Sequence, residues 1–123
     1  MGEKPVKTYK DLIAWQKAFQ LGLTIYKVSA TLPDHERFGL TIQLRRGAVS
    51  VASNIAEGYG RGSTTDYVRF LKVSRGALYE LDTQLLFARE LGYLEAAMYE
   101  DAATLLSEAE RVLAGLIRSL NPT

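Results

Sequence analysis

The stretch "SVASNIAEGYGRGST", residues 50–64, decides how this chain folds. Small residues lead into Asn54 and Glu57, then into Gly58, Gly60 and Gly62 with Arg61 among them. Alternating glycines beside an arginine suggest a phosphate cradle. A dinucleotide loop, however, needs its glycines after a strand and before a helix, where the pyrophosphate meets the helix N-terminus. Here the preceding residues have helical spacing, with Leu44, Ala48, Val51, Ala52, Ile55 and Ala56 on one arc. Gly58 fits the left-handed position that ends a helix, and Gly60 and Gly62 permit a tight reversal. Ser63, with Asp66 three residues on, caps the helix that follows. The corner reads as a joint between two helices.

Outward from this corner the same period continues. Tyr67, Leu71, Ser74, Leu78, Leu81, Leu85 and Ala88 step by four and three, as do Met98, Ala102, Leu105, Ala109, Val112 and Leu116. Pro5, Pro33 and Pro122 fall between periodic segments, and no segment alternates long enough to be a strand. Four helices are expected, at about 9–31, 34–58, 63–90 and 95–119, with disordered ends at 1–7 and 121–123. Thr8 and Asp11 form a cap for the first, Asp34 and Glu36 favour the dipole of the second, and Gly92 stops the third. Short connections make neighbours antiparallel. The fold class is therefore all-α, an up-down-up-down antiparallel four-helix bundle in a single domain, 1–123.

Composition narrows the function. The chain has 123 residues, 47% hydrophobic and 24% charged, with no cysteine, so disulfides and thiolate metal sites are excluded and a reducing cytoplasm suits it. Its start, "MGEKPVKTYKD", lacks the apolar run of a signal peptide, and no segment is apolar enough to span a membrane. The net charge of +1 conceals an asymmetry. Residues 1–62 hold nine Lys/Arg against five Asp/Glu, and residues 63–123 six against nine. One surface should be basic enough to accept an anionic partner.

Several polar residues lack an obvious role. Asn54 and Glu57 lie off the apolar arc of the second helix, either as a solvated face or, with Glu80, as a polar network fixing the bundle. Arg45 falls inside that arc and needs a carboxylate such as Glu80 or Glu108, a subunit partner, or a route to water. The first helix carries two apolar stripes about 145° apart: Leu12, Trp15, Phe19, Leu23 and Tyr26, and Ala14, Ala18, Leu21, Ile25, Val28 and Leu32. One faces the bundle and the other needs a cover. Leu21, Ile25 and Val28 are expected at a subunit interface, unless both stripes form one broad core face.

"LRRGAVSVASNIAEGYGRGS" followed by "YVRFLKVSRGALYELDTQLLFARELGYL" resembles a family of small four-helix-bundle proteins encoded in intervening sequences of bacterial 23S ribosomal RNA genes. The likeness runs from about Tyr9 to Leu116, is most specific at SNIAEG (53–58) and ALYEL (77–81), and includes "DLIAWQKA" near the start. Gly76-Ala77 departs from it where relatives more often carry Gly-Ser. The resemblance implies a left-handed bundle in a ring-like homo-oligomer, a pentamer, with no established enzymatic activity. It is also similar in architecture to the accessory variability protein of diversity-generating retroelements, a basic pentamer that engages nucleic acid and reverse transcriptase.

Enzymatic chemistry has little support. His35 is the only histidine, no nucleophile elbow or phosphate loop occurs, and a bundle di-metal site needs two Glu-x-x-His motifs. No cofactor, metal or small-molecule substrate is expected, and the chain is taken as a non-enzyme. RNA or single-stranded DNA is the alternative partner. Arg45, Arg46, Arg61, Arg69, Lys72 and Arg75, with Tyr79 and Phe87 nearby, are candidates for phosphate contact and base stacking.

Overall fold

The computed structural model describes residues 5–120; the expected disorder at 1–4 and 121–123 lies outside the described residues. Four helices follow in order: α1 (Ile13–Ser29), α2 (Leu40–Tyr59), α3 (Thr64–Glu90) and α4 (Ala96–Leu120), with 3-10 turns at Tyr9–Asp11 and Asp34–Glu36. Consecutive helices pack on one another, and α1 closes the ring of contacts with α4. Paired cross-helix contacts show neighbours running antiparallel: Gly22 with Ala48 and Ser29 with Arg45, Gly47 with Leu81 and Gly58 with Phe70, Tyr79 with Glu110 and Arg89 with Tyr99, Lys17 with Glu108 and Thr31 with Met98. The molecule is an all-α four-helix bundle.

Two helices start later than their periodicity suggests. Thr8 and Asp11 do form a reciprocal capping box, but it caps the 3-10 turn, and α1 begins after extended Leu12. Similarly, Asp34 and Glu36 sit in their own turn ahead of α2. Gly39 occupies the N-cap of α2 and has no side chain to offer, so Glu36 Oε1 accepts the Leu40 N–H at 3.1 Å instead.

The core follows the expected stripes with one rotation. In α3 the line from Leu71 through Ser74, Leu78, Leu81 and Leu85 to Ala88 is buried. In α4 the buried line is Tyr99, Ala102, Leu106, Ala109, Leu113 and Ile117, so Met98, Leu105, Val112 and Leu116 flank it rather than form it. Both lines of α4 are apolar, and spacing does not choose between them. Ser74 lies at the centre of the core with no exposure, its hydroxyl donating to the Val51 carbonyl at 2.7 Å, so no polar cost remains.

The glycine corner is structural, for a different reason than its sequence suggests. Gly58 lies inside α2, and Gly92 is the one glycine with positive φ (81°) among the described residues. Gly58 is buried because α3 crosses directly over it. A methyl group there would come 2.8 Å from Phe70 Cβ and 3.1 Å from the Tyr67 carbonyl oxygen. The crossing also desolvates Tyr67, raising its hydroxyl pKa, with neighbouring Tyr59 adding to the effect. At the other end, Gly92 ends α3 in a Schellman motif: Tyr93 N–H donates to the Ala88 carbonyl and Gly92 N–H to that of Arg89, both at 2.9 Å.

That motif points Tyr93 across the bundle end. Its hydroxyl donates to Glu36 Oε2 at 2.9 Å and lies 3.1 Å from His35 Nε2. The Leu40 N–H first, then the Tyr93 hydroxyl, hold the Glu36 carboxyl below its usual pKa, and the same bond raises that of Tyr93. Because the folded value is depressed, this stabilisation is present at pH above the unfolded value and disappears as pH falls through the folded one. Glu36→Gln should therefore melt below wild type at neutral pH, with the gap closing in acid; a gap independent of pH would count against the charge. Gly58→Ala should also melt lower. Alanine is the better helix former by about 1 kcal/mol, but overpacking against Phe70 costs about 1–3 kcal/mol, so a higher melting temperature would contradict the close crossing.

Candidate functional site

The α1 stripes divide opposite to the expected way. Leu21, Ile25 and Val28 are 0%, 0% and 2% exposed and form the core with Ala14 and Ala18, so they cannot be a subunit interface. Phe19, Leu23 and Tyr26 face outward, 46%, 52% and 43% exposed. The reason is width. Alanines in the inner stripe let α1 settle closely on its neighbours, whereas a line of aromatic rings would hold the helices apart.

These outward side chains make one wall of a groove of about 320 Å³ between α1 and α2. Trp15 and Phe19 stack with centroids 5.0 Å apart, and Tyr9 meets Trp15 edge-on at 5.3 Å. The floor is small: Ala18 and Gly22 from α1, and Ala48, Ala52 and Ala56 from α2. Alanines at every fourth position put bare helix surface at the bottom. Val49, half exposed, continues the apolar surface.

Arg45 stands just beyond the groove, against its Tyr26 wall. Its Nε donates to the Ser29 hydroxyl at 2.8 Å, and its guanidinium lies 5.2 Å from the centre of the Tyr26 ring. Ser29 is itself buried and donates to the Tyr26 carbonyl at 2.9 Å. Arg45 is thus half-buried on a hydroxyl and a ring, with neither Glu80 nor Glu108 as partner. Glu108 pairs instead with Lys17 at 3.2 Å. Arg46, next to it, is exposed beside Ile42, Val49 and Ser50.

The six candidate cations do not form one patch. Arg45 and Arg46 stand near the start of α2 and Arg61 beyond its end, about 22 Å away at 1.5 Å per residue. Arg61 and Arg69 do meet, on the Phe70 ring, at 4.9 and 4.7 Å from its centre. Each is already paired, Arg61 with Glu57 at 3.3 Å and Arg69 with Asp66 at 3.5 Å. Lys72 is exposed and Arg75 half-buried on α3, neither joined to a carboxylate among the described residues.

The expected polar network is also not formed. Asn54 donates to the Ser50 carbonyl and hydroxyl at 2.8 and 3.0 Å, within its own helix. Glu57 is exposed and pairs with Arg61 one turn on, while Glu80 is exposed on α3, where it joins neither. Asn54 and Glu57 lie a turn apart on α2, while Glu80 stands on α3 beside Leu81, which packs at the level of Gly47, well away from both. Among the described residues, no three His, Cys, Asp or Glu side chains gather as a metal site, and no helix is long and apolar enough to cross a membrane. Arg45→Ala should lower stability by about 1–2 kcal/mol, since it leaves the Ser29 hydroxyl without its donor. Arg46→Ala should stay within about 0.5 kcal/mol. Equal effects in thermal melts would mean that Arg45 is no more built in than its neighbour.

Comparison with known proteins agrees with this architecture. The crystal structure of a protein of unknown function from the S23 ribosomal protein family of Bacteroides thetaiotaomicron superposes with a TM-score of 0.80 at 20% identity, covering 86% of this chain and 96% of that one. At that identity the likeness speaks to the fold. No curated protein matches the sequence. The family model described as 23S rRNA-intervening sequence protein matches residues 10–115, from the capped turn before α1 almost to the end of α4. The chain belongs to the family of 23S rRNA-intervening sequence proteins.

Proposed function

We propose that this protein is a non-enzymatic assembly protein, a homo-oligomer whose subunits meet through the α1–α2 groove. The observation that carries the reading is the row of outward Phe19, Leu23 and Tyr26 beside Val49, large apolar side chains contiguous over a surface floored by alanine and glycine. A contiguous apolar surface left in water marks an interaction site. Aromatic anchors around small residues are what a well-packed interface core needs. Five subunits is the count that the family resemblance implies.

A second reading, binding of RNA or single-stranded DNA, draws on Arg61 and Arg69 meeting at Phe70. A half-buried ring between two guanidiniums offers cations for a phosphate and part of a face for a stacked base. The Glu57 and Asp66 carboxylates oppose it, and a ring of subunits would have to multiply a weak site through avidity.

Light scattering at micromolar concentration should give a mass well above the 13.7 kDa of one chain. Leu23→Glu should reduce it to that of the monomer with helicity intact, since Leu23 is 52% exposed. Ile25→Glu should instead unfold the chain, because it places a carboxylate in a site with no exposure. A wild-type monomer would end the assembly reading. For the nucleic-acid reading, a band shift with RNA at about 50 mM salt should weaken steeply as salt rises, and no shift at low salt would remove it.

A further inference from the structure

The groove is one half of a joint. We infer that its occupant is the outer face of α3 on a second copy of this chain, so that subunits join head to tail. The inference rests on the assembly reading above and names the surface that completes it.

The outer face of α3 has features that its own chain leaves unexplained. Val73 and Phe87 are 49% and 60% exposed, and with Gly76, Glu80 and Thr83 they step by three, four, three and four along one side of the helix. That is the spacing by which one helix lies along another. Gly76 stands in the middle of a 27-residue helix, where glycine is among the poorest choices, and a methyl group there would touch nothing within 4 Å. Gly58 and Gly47 are explained by Phe70 and Leu81 pressing on them; Gly76 has no such neighbour. A second backbone approaching from outside accounts for it. The groove, floored by Ala48, Ala52 and Ala56, offers an equally bare surface.

Charge sets which end meets which. Arg46 is exposed beside Val49 at one end of the groove, without a carboxylate among the described residues. Glu80 is exposed midway along the α3 face, without a cation among the described residues. Beside it, Gln84 has a buried Oε1 with no hydrogen-bond partner among the described residues, an acceptor left unsatisfied. Placing Glu80 against Arg46 brings an acceptor-rich spot to a group with several donors. Because groove and α3 face are different surfaces, a subunit that offers one still has the other free. Such contacts close into rings when the rotation between subunits allows it.

The test uses two full-length variants, Leu23→Glu to block the groove and Phe87→Glu to block the α3 face, both at exposed positions. Each alone should be a helical monomer. Mixed in equal amounts, they should form a species with the mass of two chains, one of each, because one intact groove and one intact α3 face remain. Isologous pairing through the groove predicts that Phe87→Glu assembles like wild type and that the mixture gains no hybrid; either result overturns the inference while leaving assembly in place. A wild-type monomer overturns both. Arg46→Glu should raise the concentration at half-assembly by roughly fivefold, and adding Glu80→Arg in the same chain should restore it. Failure to restore would overturn the proposed register.

Discussion

Close contact between α2 and its two neighbours is the constraint from which the other features follow. Gly58 and Gly47 let α3 lie directly on α2, and Gly22 lets α1 approach to within 3.4 Å of the Ala48 carbonyl oxygen, measured from where a methyl group would be. Helices this close leave little room between them for rings. Leucine, isoleucine, valine and alanine make up most of the inner stripes, and Phe19 and Tyr26 of α1 turn outward. The groove is thus a by-product of tight packing: small residues at the contact form its floor, and displaced aromatics form its wall.

This also explains what was legible in the sequence. Period and punctuation sufficed for four antiparallel helices, because Ser63 caps α3 and Gly92 ends it in the manner their types require. They did not suffice for Gly58, since a glycine needed for left-handed backbone and one needed for close approach look alike in one dimension. The two stripes of α1 illustrate the same limit. Both are apolar at helical spacing, so hydrophobicity alone could not rank them. Side-chain volume could have done so, because Ala14 and Ala18 belong where helices touch and Trp15 and Phe19 do not.

Polar residues were least legible of all. Arg45 and Arg46 are adjacent and identical, yet one grips a buried serine and an aromatic ring while the other stands in solvent. Asn54 and Glu57 look like a network from their spacing, but each finds its partner within a turn of its own chain. A hydrogen bond depends on angles and distances of a few tenths of an ångström, which residue type does not encode. The same holds for Glu36, whose part in capping α2 and binding Tyr93 depends on how two distant loops fold toward each other.

The brevity of the corner at residues 60–63 has a further consequence, for the order in which the chain folds. α2 and α3 are joined by so short a link that closing it loses little chain entropy, and their contact is the most extensive in the molecule. The α2–α3 hairpin is therefore the natural nucleus. α1 and α4 meet across far longer separations, as between Lys17 and Glu108, and complete the bundle afterwards. The groove forms only once α1 has packed on α2. A chain still folding thus lacks the groove that the finished bundle presents.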